Sequence, residues 1–182
     1  MNRRSFLSSA IGCGALAALS KLPAAPASAK GSTGDEKSNQ APFKKVVKSD
    51  AEWRRVLTPE QYNVTRRKGT EPPYSSPLNS IHERGVFECV CCELPLFSSK
   101  AKFESHTGWP SFWSPISRRN VREEVDNSLA ESRTEVLCAR CDAHLGHVFD
   151  DGPAPTGLRY CMNGVALRFV RSGGERKGDH KR

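Results

Sequence analysis

Two Cys-x-x-Cys pairs, Cys89/Cys92 and Cys138/Cys141, constrain this chain more than any other feature. Each presents two thiolates at the spacing where a tight turn aims both sulfurs at one ion, and two such pairs supply the four soft ligands of a tetrahedral Zn²⁺ site. The gap between the pairs is longer than in a compact zinc ribbon, so one ion would tie together strands distant in sequence. Binding free energy on the order of 10 kcal/mol would then appear as folding stability. Disulfides within or between the pairs, or a redox dithiol at either one, are the competing arrangements in an exported protein. Iron competes with zinc for a four-sulfur site. Four protein thiolates leave no position for water, so a metal held this way is structural rather than catalytic.

At 182 residues the chain suits one domain with a real hydrophobic core. Its formal net charge of +8 includes Arg3, Arg4 and Lys21 of an N-terminal segment read below as removed, which leaves a mild excess. The basic residues are interspersed with acidic ones except in short clusters such as Arg66-Arg67-Lys68, so no nucleic-acid partner is expected.

Arg3-Arg4 stands directly before a weakly apolar run, Phe6 to Leu19, and Ala27-Ser28-Ala29 supplies a small-residue cleavage site. The pattern resembles a twin-arginine export signal (residues 1–29) cleaved after Ala29, which implies delivery of an already folded, metal-loaded protein to a bacterial periplasm. The run is too short and too weakly hydrophobic for stable membrane insertion. Lipidation at Cys13 is the alternative. Residues 30–48 read as a flexible tether, and 172–182 as a disordered tail.

Ser49-Asp50-Ala51-Glu52 has the form of a capping box, with Trp53, Val56 and Leu57 following at helical spacing. Thr58-Pro59-Glu60-Gln61 repeats the signal. Two short helices therefore open a domain spanning 49–171. Gly69 and the prolines at 72, 73 and 77 stop the helices, and the segment between crosses the surface as a loop. From Gly85 onward come short β-prone runs: 86–90, 94–97, 121–125, 134–137 and 165–170. In the last, Val165, Leu167 and Phe169 share one face. The fold class is mostly β (α+β), with antiparallel sheet.

With four cysteines committed, Cys91 and Cys161 remain in the mature chain. Cys161 is the better nucleophile. Arg159 supplies a cation that favours its thiolate, and the turn-rich return from Asp150 to Gly157 can bring His144 and His147 to face it. Alone, Cys161 would as readily be an inert core thiol, and the histidines structural or metal-bound. Together, with no spare metal partner, they favour acid–base chemistry.

Gly108-Trp109-Pro110-Ser111-Phe112, the stretch His144 to Pro153 and Gly157-Leu158-Arg159-Tyr160-Cys161-Met162-Asn163 together resemble the methionine-R-sulfoxide reductases (MsrB type, SelR domain). The likeness covers about residues 49 to 170, both cysteine pairs included. It implies two antiparallel sheets, a cleft, and a structural zinc ion away from that cleft. It also implies thiol-dependent reduction of the R epimer of methionine sulfoxide in oxidised proteins, through a sulfenic acid on Cys161. By matching position, His144 and His147 would place and protonate the sulfoxide oxygen. Asn163 and Arg159 would support the site, and Trp109 would hold the S-methyl group. Where many members carry a second cysteine, this chain has Thr107. Direct reduction by a thioredoxin-like protein or another thiol is therefore expected, with Cys91 as the alternative. A monomer is expected. The rival to an enzyme is a zinc-stabilised β binding module, which would leave Cys161, both histidines and Trp109 without a role.

Overall fold

The structure, a computed structural model, describes residues 44–173. The expected leader, residues 30–43 of the tether and 174–182 of the tail lie outside the described residues. The domain opens with α1 (Asp50–Val56) and α2 (Pro59–Arg67). Both capping boxes form as read: Ser49 and Glu52 exchange bonds at the first helix, Thr58 and Gln61 at the second. Each cap is worth about 1 kcal/mol, which matters for helices too short to persist alone. Trp53, Leu57, Tyr62 and Val64 turn inward. Ahead of α1, the Val46 amide already donates to the Arg140 carbonyl. No helix among the described residues is long and apolar enough to cross a membrane.

Among the described residues nine strands follow in two antiparallel sheets, so the fold is mostly β. The smaller sheet has the order β2-β1-β9, from β1 (Gly85–Cys89), β2 (Pro95–Ser98) and β9 (Leu167–Arg171). The larger has the order β3-β4-β8-β7-β6-β5, from β3 (Lys102–Phe103), β4 (Ser111–Phe112), β5 (Val121–Asp126), β6 (Arg133–Cys138), β7 (His144–Phe149) and β8 (Arg159–Met162). Strand alternation sends Phe112, Tyr160, Met162 and Val136 to one face of the larger sheet, where they pack with Phe87, Phe97 and Leu96 of the smaller. The Phe97 and Phe112 rings stack at 4.5 Å, and Phe87 meets Phe112 edge-on at 4.9 Å. Such pairs add roughly 0.5–1.5 kcal/mol each beyond area burial.

The last strand starts later than the alternation suggested. Gly164–Ala166 forms a 3-10 turn, because the Glu71 carboxylate takes the amides of Gly164 and Val165 at 2.6 and 2.8 Å. Those groups are therefore lost to the ladder, and β9 begins at Leu167.

Candidate active site and metal centre

The two cysteine pairs are the turns of two hairpins, β1–β2 in one sheet and β6–β7 in the other. Their backbones repeat. The Glu93 amide donates to Cys89 O and the Cys89 amide to Leu94 O; the Asp142 amide donates to Cys138 O and the Cys138 amide to Ala143 O. Glu93 and Asp142 both sit in the left-handed region, at φ 61° and 57°. The four Sγ atoms all lie within 4.8 Å of one another, with Cys89 to Cys141 at 3.7 Å and Cys92 to Cys138 at 3.5 Å. A tetrahedron with Zn–S near 2.3 Å has S···S edges of about 3.8 Å. The cluster therefore fits one tetrahedral ion. Cys91 is half-buried beside it, with Cys141, Cys89 and Thr65 as neighbours of its thiol and the Arg66 charge acting on it.

The other face of the larger sheet carries the polar residues. Cross-strand register places Glu124, Glu135, His147, Cys161, Ser111 and Phe103 in one row through all six strands. His147 and Cys161 are direct partners in its middle, so their side chains leave the sheet together.

Residues three apart on a regular strand point to opposite faces, yet the His144 and His147 rings lie 5.5 Å apart. The register explains this. Val136 pairs with Gly146 but Leu137 pairs with His144, so Leu145 is an extra residue and the parity of β7 changes. Gly146 carries the distortion at φ 153°.

Each histidine is fixed by a carboxylate. His144 Nδ1 meets Glu135 Oε1 at 2.7 Å, and Lys68 Nζ holds the other Glu135 oxygen at 2.7 Å. His144 is buried, its Nε2 has no protein partner among the described residues, and burial pushes its pKa down despite Glu135. His147 Nε2 meets Asp126 Oδ2 at 2.8 Å. Asp126 is held far below the usual carboxylate range by hydrogen bonds from Ser128 first, then His147 and Arg133.

A cleft of about 120 Å³ lies over the row, lined by Cys161, His147, Trp109, Asn163, Phe149 and Arg133 among others. A larger hollow of about 440 Å³ between α1 and α2 contains no nucleophile. Of the residues read from sequence, Cys161, His147, Trp109 and Asn163 thus meet in one place. His144 stands behind His147 rather than in the wall of that cleft, and it borders a second hollow beside Lys68.

Arg159 is divided between duties. Its guanidinium makes a two-pronged pair with Asp151 at 2.7 and 2.8 Å and lies 4.4 Å from the Phe149 ring centre. It also lowers the Cys161 thiol pKa, as do Thr107 and Ser111, but burial prevails and the thiol pKa is raised. The expected arginine effect is present and outweighed.

Sequence reading missed Glu71. Its carbonyl accepts from the Trp109 indole Nε1 at 3.1 Å, its amide donates to Asn163 Oδ1 at 3.0 Å, and its buried carboxylate caps the turn after β8. One residue thereby ties Trp109 to Asn163. Glu135 and Asp126 were missed too; no local pattern marks any of the three. Thr107, at the position of the second cysteine, has its Oγ1 3.8 Å from Cys161 Sγ.

A family model described as the SelR domain matches residues 57–171. The chain is 56% identical over 133 residues to the peptide methionine sulfoxide reductase MsrB of Hahella chejuensis, covering 73% of this chain and 96% of that protein. It is 58% identical over 128 residues to the protein of the same name from Pseudomonas fluorescens (70% and 98%), and 54% over 138 residues to that of Methanosarcina barkeri (76% and 97%). Among solved structures it has a partial likeness to the Mis18 "Yippee-like" domain, with TM-score 0.42 and 22% identity, over 50% of this chain and all of that one.

Proposed function

Because the chain belongs to the SelR-domain family of peptide methionine sulfoxide reductases, MsrB, we propose that the cleft over Cys161 reduces the R epimer of methionine sulfoxide in oxidised proteins. The observation that carries this reading is the direct cross-strand pairing of Cys161 with His147 beneath Trp109. A sulfoxide oxygen is a poor leaving group until it is protonated, so the reaction needs a sulfur nucleophile and a proton source at one centre. Cys161 Sγ attacks the sulfoxide sulfur. The oxygen takes up a proton at the histidine side, its bond to the methionine sulfur breaks, and it ends on Sγ. The thiol and the sulfoxide are thus converted to a sulfenic acid and methionine, with every atom conserved. Burial raises the Cys161 thiol pKa, which favours the thiol as one source of the proton that the oxygen needs. Asp126 orients His147 through Nε2, and the residue lines the cleft where the sulfoxide would sit. The Trp109 ring offers a flat polarizable surface to the S-methyl group.

Recycling goes through an external thiol. A first thiol displaces water from the sulfenic acid to give a mixed disulfide, and a second restores Cys161. A thioredoxin-like protein fits this role. Cys91 is less suited, since its surroundings, Cys141, Cys89, Thr65 and Arg66, share no residue with the lining of the Cys161 cleft. The four-cysteine cluster would hold Zn²⁺, which supplies structural cross-linking and no open coordination position. Arg3-Arg4 and Ala27-Ser28-Ala29 support export by the twin-arginine route to a periplasm.

Incubation with dithiothreitol and each epimer of a methionine sulfoxide peptide tests the reading. Turnover of the R form that is lost in Cys161→Ser is expected. Absence of turnover, or turnover unchanged in that variant, would leave a zinc-stabilised binding module as the better account.

A further inference from the structure

Of the consecutive basic residues Arg66, Arg67 and Lys68, only the last is bonded toward the histidine pair. Arg66 lies 4.8 Å from the Trp53 ring centre and donates to the Cys141 carbonyl at 3.0 Å, and Arg67 turns back to the Tyr62 hydroxyl. Lys68 ends α2 in the left-handed region, at φ 55°, a conformation in which helices commonly place glycine. Its ammonium crosses to β6 and meets Glu135 Oε2 at 2.7 Å, while Glu135 Oε1 meets His144 Nδ1 at 2.7 Å. The carboxylate between them is buried.

Charge decides where the hydrogen of the second bond lies. Burial opposes ionisation of Glu135, but Lys68 and then His144 outweigh it and hold the carboxyl below its ordinary 4.5. At neutral pH Glu135 is therefore an anion and can only accept, so the hydrogen belongs to His144 Nδ1. Burial holds His144 below its ordinary 6.5 against the pull of Glu135, so above that pH the ring has this one hydrogen and its Nε2 is bare. That Nε2 has no protein partner among the described residues, and the ring lies 5.5 Å from the ring of His147. A proton added there would set a cation directly behind the histidine that lines the cleft, and like charges at that range oppose each other.

Building on the reductase reading above, we propose that Lys68 is a positioning residue: by pairing with Glu135 it fixes His144 as the uncharged Nδ1–H tautomer, so that of the two rings His147 is the one that carries a proton to the sulfoxide oxygen. Lys68 touches no substrate. It orients Glu135 by a direct bond, and its charge, like that of His147, disfavours a second cation at His144. The other charged groups beside His144 line the neighbouring hollow: Lys48 ahead of α1, Asp50 on α1, Arg66 on α2 and Asp142 in the β6–β7 turn. Both carboxylates there are already engaged, Asp50 by Arg54 and Asp142 by Lys45 and Arg122.

Nitrogen-15 NMR of the ring nitrogens in the labelled full-length protein reads the tautomer directly, with the His144 signals identified by their loss in His144→Asn. The parent should show hydrogen on Nδ1 at about pH 7.5 and a titration midpoint below the ordinary value of about 6.5. Lys68→Met should raise that midpoint by about one pH unit, and Lys68→Arg should restore it. Glu135→Gln should lower it, because Nδ1 loses its anion while the lysine charge stays. General loosening of the site would instead move Lys68→Met and Glu135→Gln alike up toward the ordinary value. The Lys68 side chain is 65% exposed, so its variants do not threaten the core.

An Nε2–H tautomer in the parent, an unmoved midpoint in Lys68→Met or a raised one in Glu135→Gln overturns the proposal. The same variants, assayed with the R-sulfoxide peptide, should show the acid limb of kcat/KM displaced to higher pH in Lys68→Met and returned in Lys68→Arg. Turnover with an unmoved limb in Lys68→Met likewise overturns the proposal. Absence of turnover in the parent itself would reject the reductase reading instead, and the NMR measurement, which needs no turnover, separates the two.

Discussion

Gly146 lies against the backbone of Cys161 so closely that a Cβ would stand 2.2 Å from the Cys161 carbonyl oxygen and 3.0 Å from Met162 Cα. The same residue holds φ 153° at the bulge that turns both histidines to one face. Gly146→Ala therefore carries a steric and a conformational penalty at once, about 3 kcal/mol or more. Urea unfolding should show the loss. Sulfoxide reductase activity should fall by more than tenfold even in the fraction that stays folded, since pushing β7 from β8 separates His147 from Cys161. Parental stability and activity in the Gly146→Ala variant would contradict the close approach.

Removal of the metal should unfold the scaffold rather than block the chemistry directly. The cluster joins the tips of hairpins from different sheets, and β7, which begins three residues after Cys141, carries both histidines. Cys138→Ser should lose bound zinc by elemental analysis and lower the melting temperature markedly. Cys91→Ser should retain one zinc per chain and its dithiothreitol-driven turnover. A full equivalent of zinc in Cys138→Ser would place the metal elsewhere.

Local signals in this sequence reported themselves well, and long-range register did not. The capping boxes at Ser49 and Thr58 and the two Cys-x-x-Cys turns need only a few consecutive residues, so their patterns survive folding unchanged. His144-Leu145-Gly146-His147 was not read as strand, because the bulge destroys the alternation by which strands are recognised. The scaffold role of Glu71 arises from bonds to Asn163, Gly164 and Val165, residues far along the chain. Nothing near position 71 distinguishes it from a surface carboxylate. Thr107 stands out in the sequence only as a missing cysteine, and its approach to Cys161 depends on the pairing of β4 with β8.

His144 makes stability depend on pH in a defined window. Burial lowers its folded-state pKa below the ordinary 6.5. Between those two values the unfolded chain binds more protons, so the contribution is full above about pH 6.5 and is lost as pH falls. Glu135, also lowered, contributes above its ordinary 4.5 and loses that contribution only in more acidic solution. Urea midpoints should decline from about pH 7 toward pH 5, and the slope in that interval should flatten in His144→Asn. A slope unchanged by the substitution would assign the titration to another group.

Glu71 should matter to substrate binding without touching substrate. Its carboxylate is buried, with desolvation pushing its pKa up, yet it bonds to two amides of the turn after β8. Glu71→Ala leaves those amides without their acceptor, at a cost of about 1–3 kcal/mol for each group that stays buried. The main-chain bond to the Trp109 indole can persist only if the loop keeps its place. We expect KM for the R-sulfoxide peptide to rise about tenfold as Trp109 loosens, with a smaller change in kcat because Cys161 and His147 are held by their own strands. Glu71→Gln retains one oxygen acceptor and should recover part of the loss. A fall in kcat at unchanged KM would show instead that the loop acts on the sulfur chemistry rather than on the methyl-binding wall.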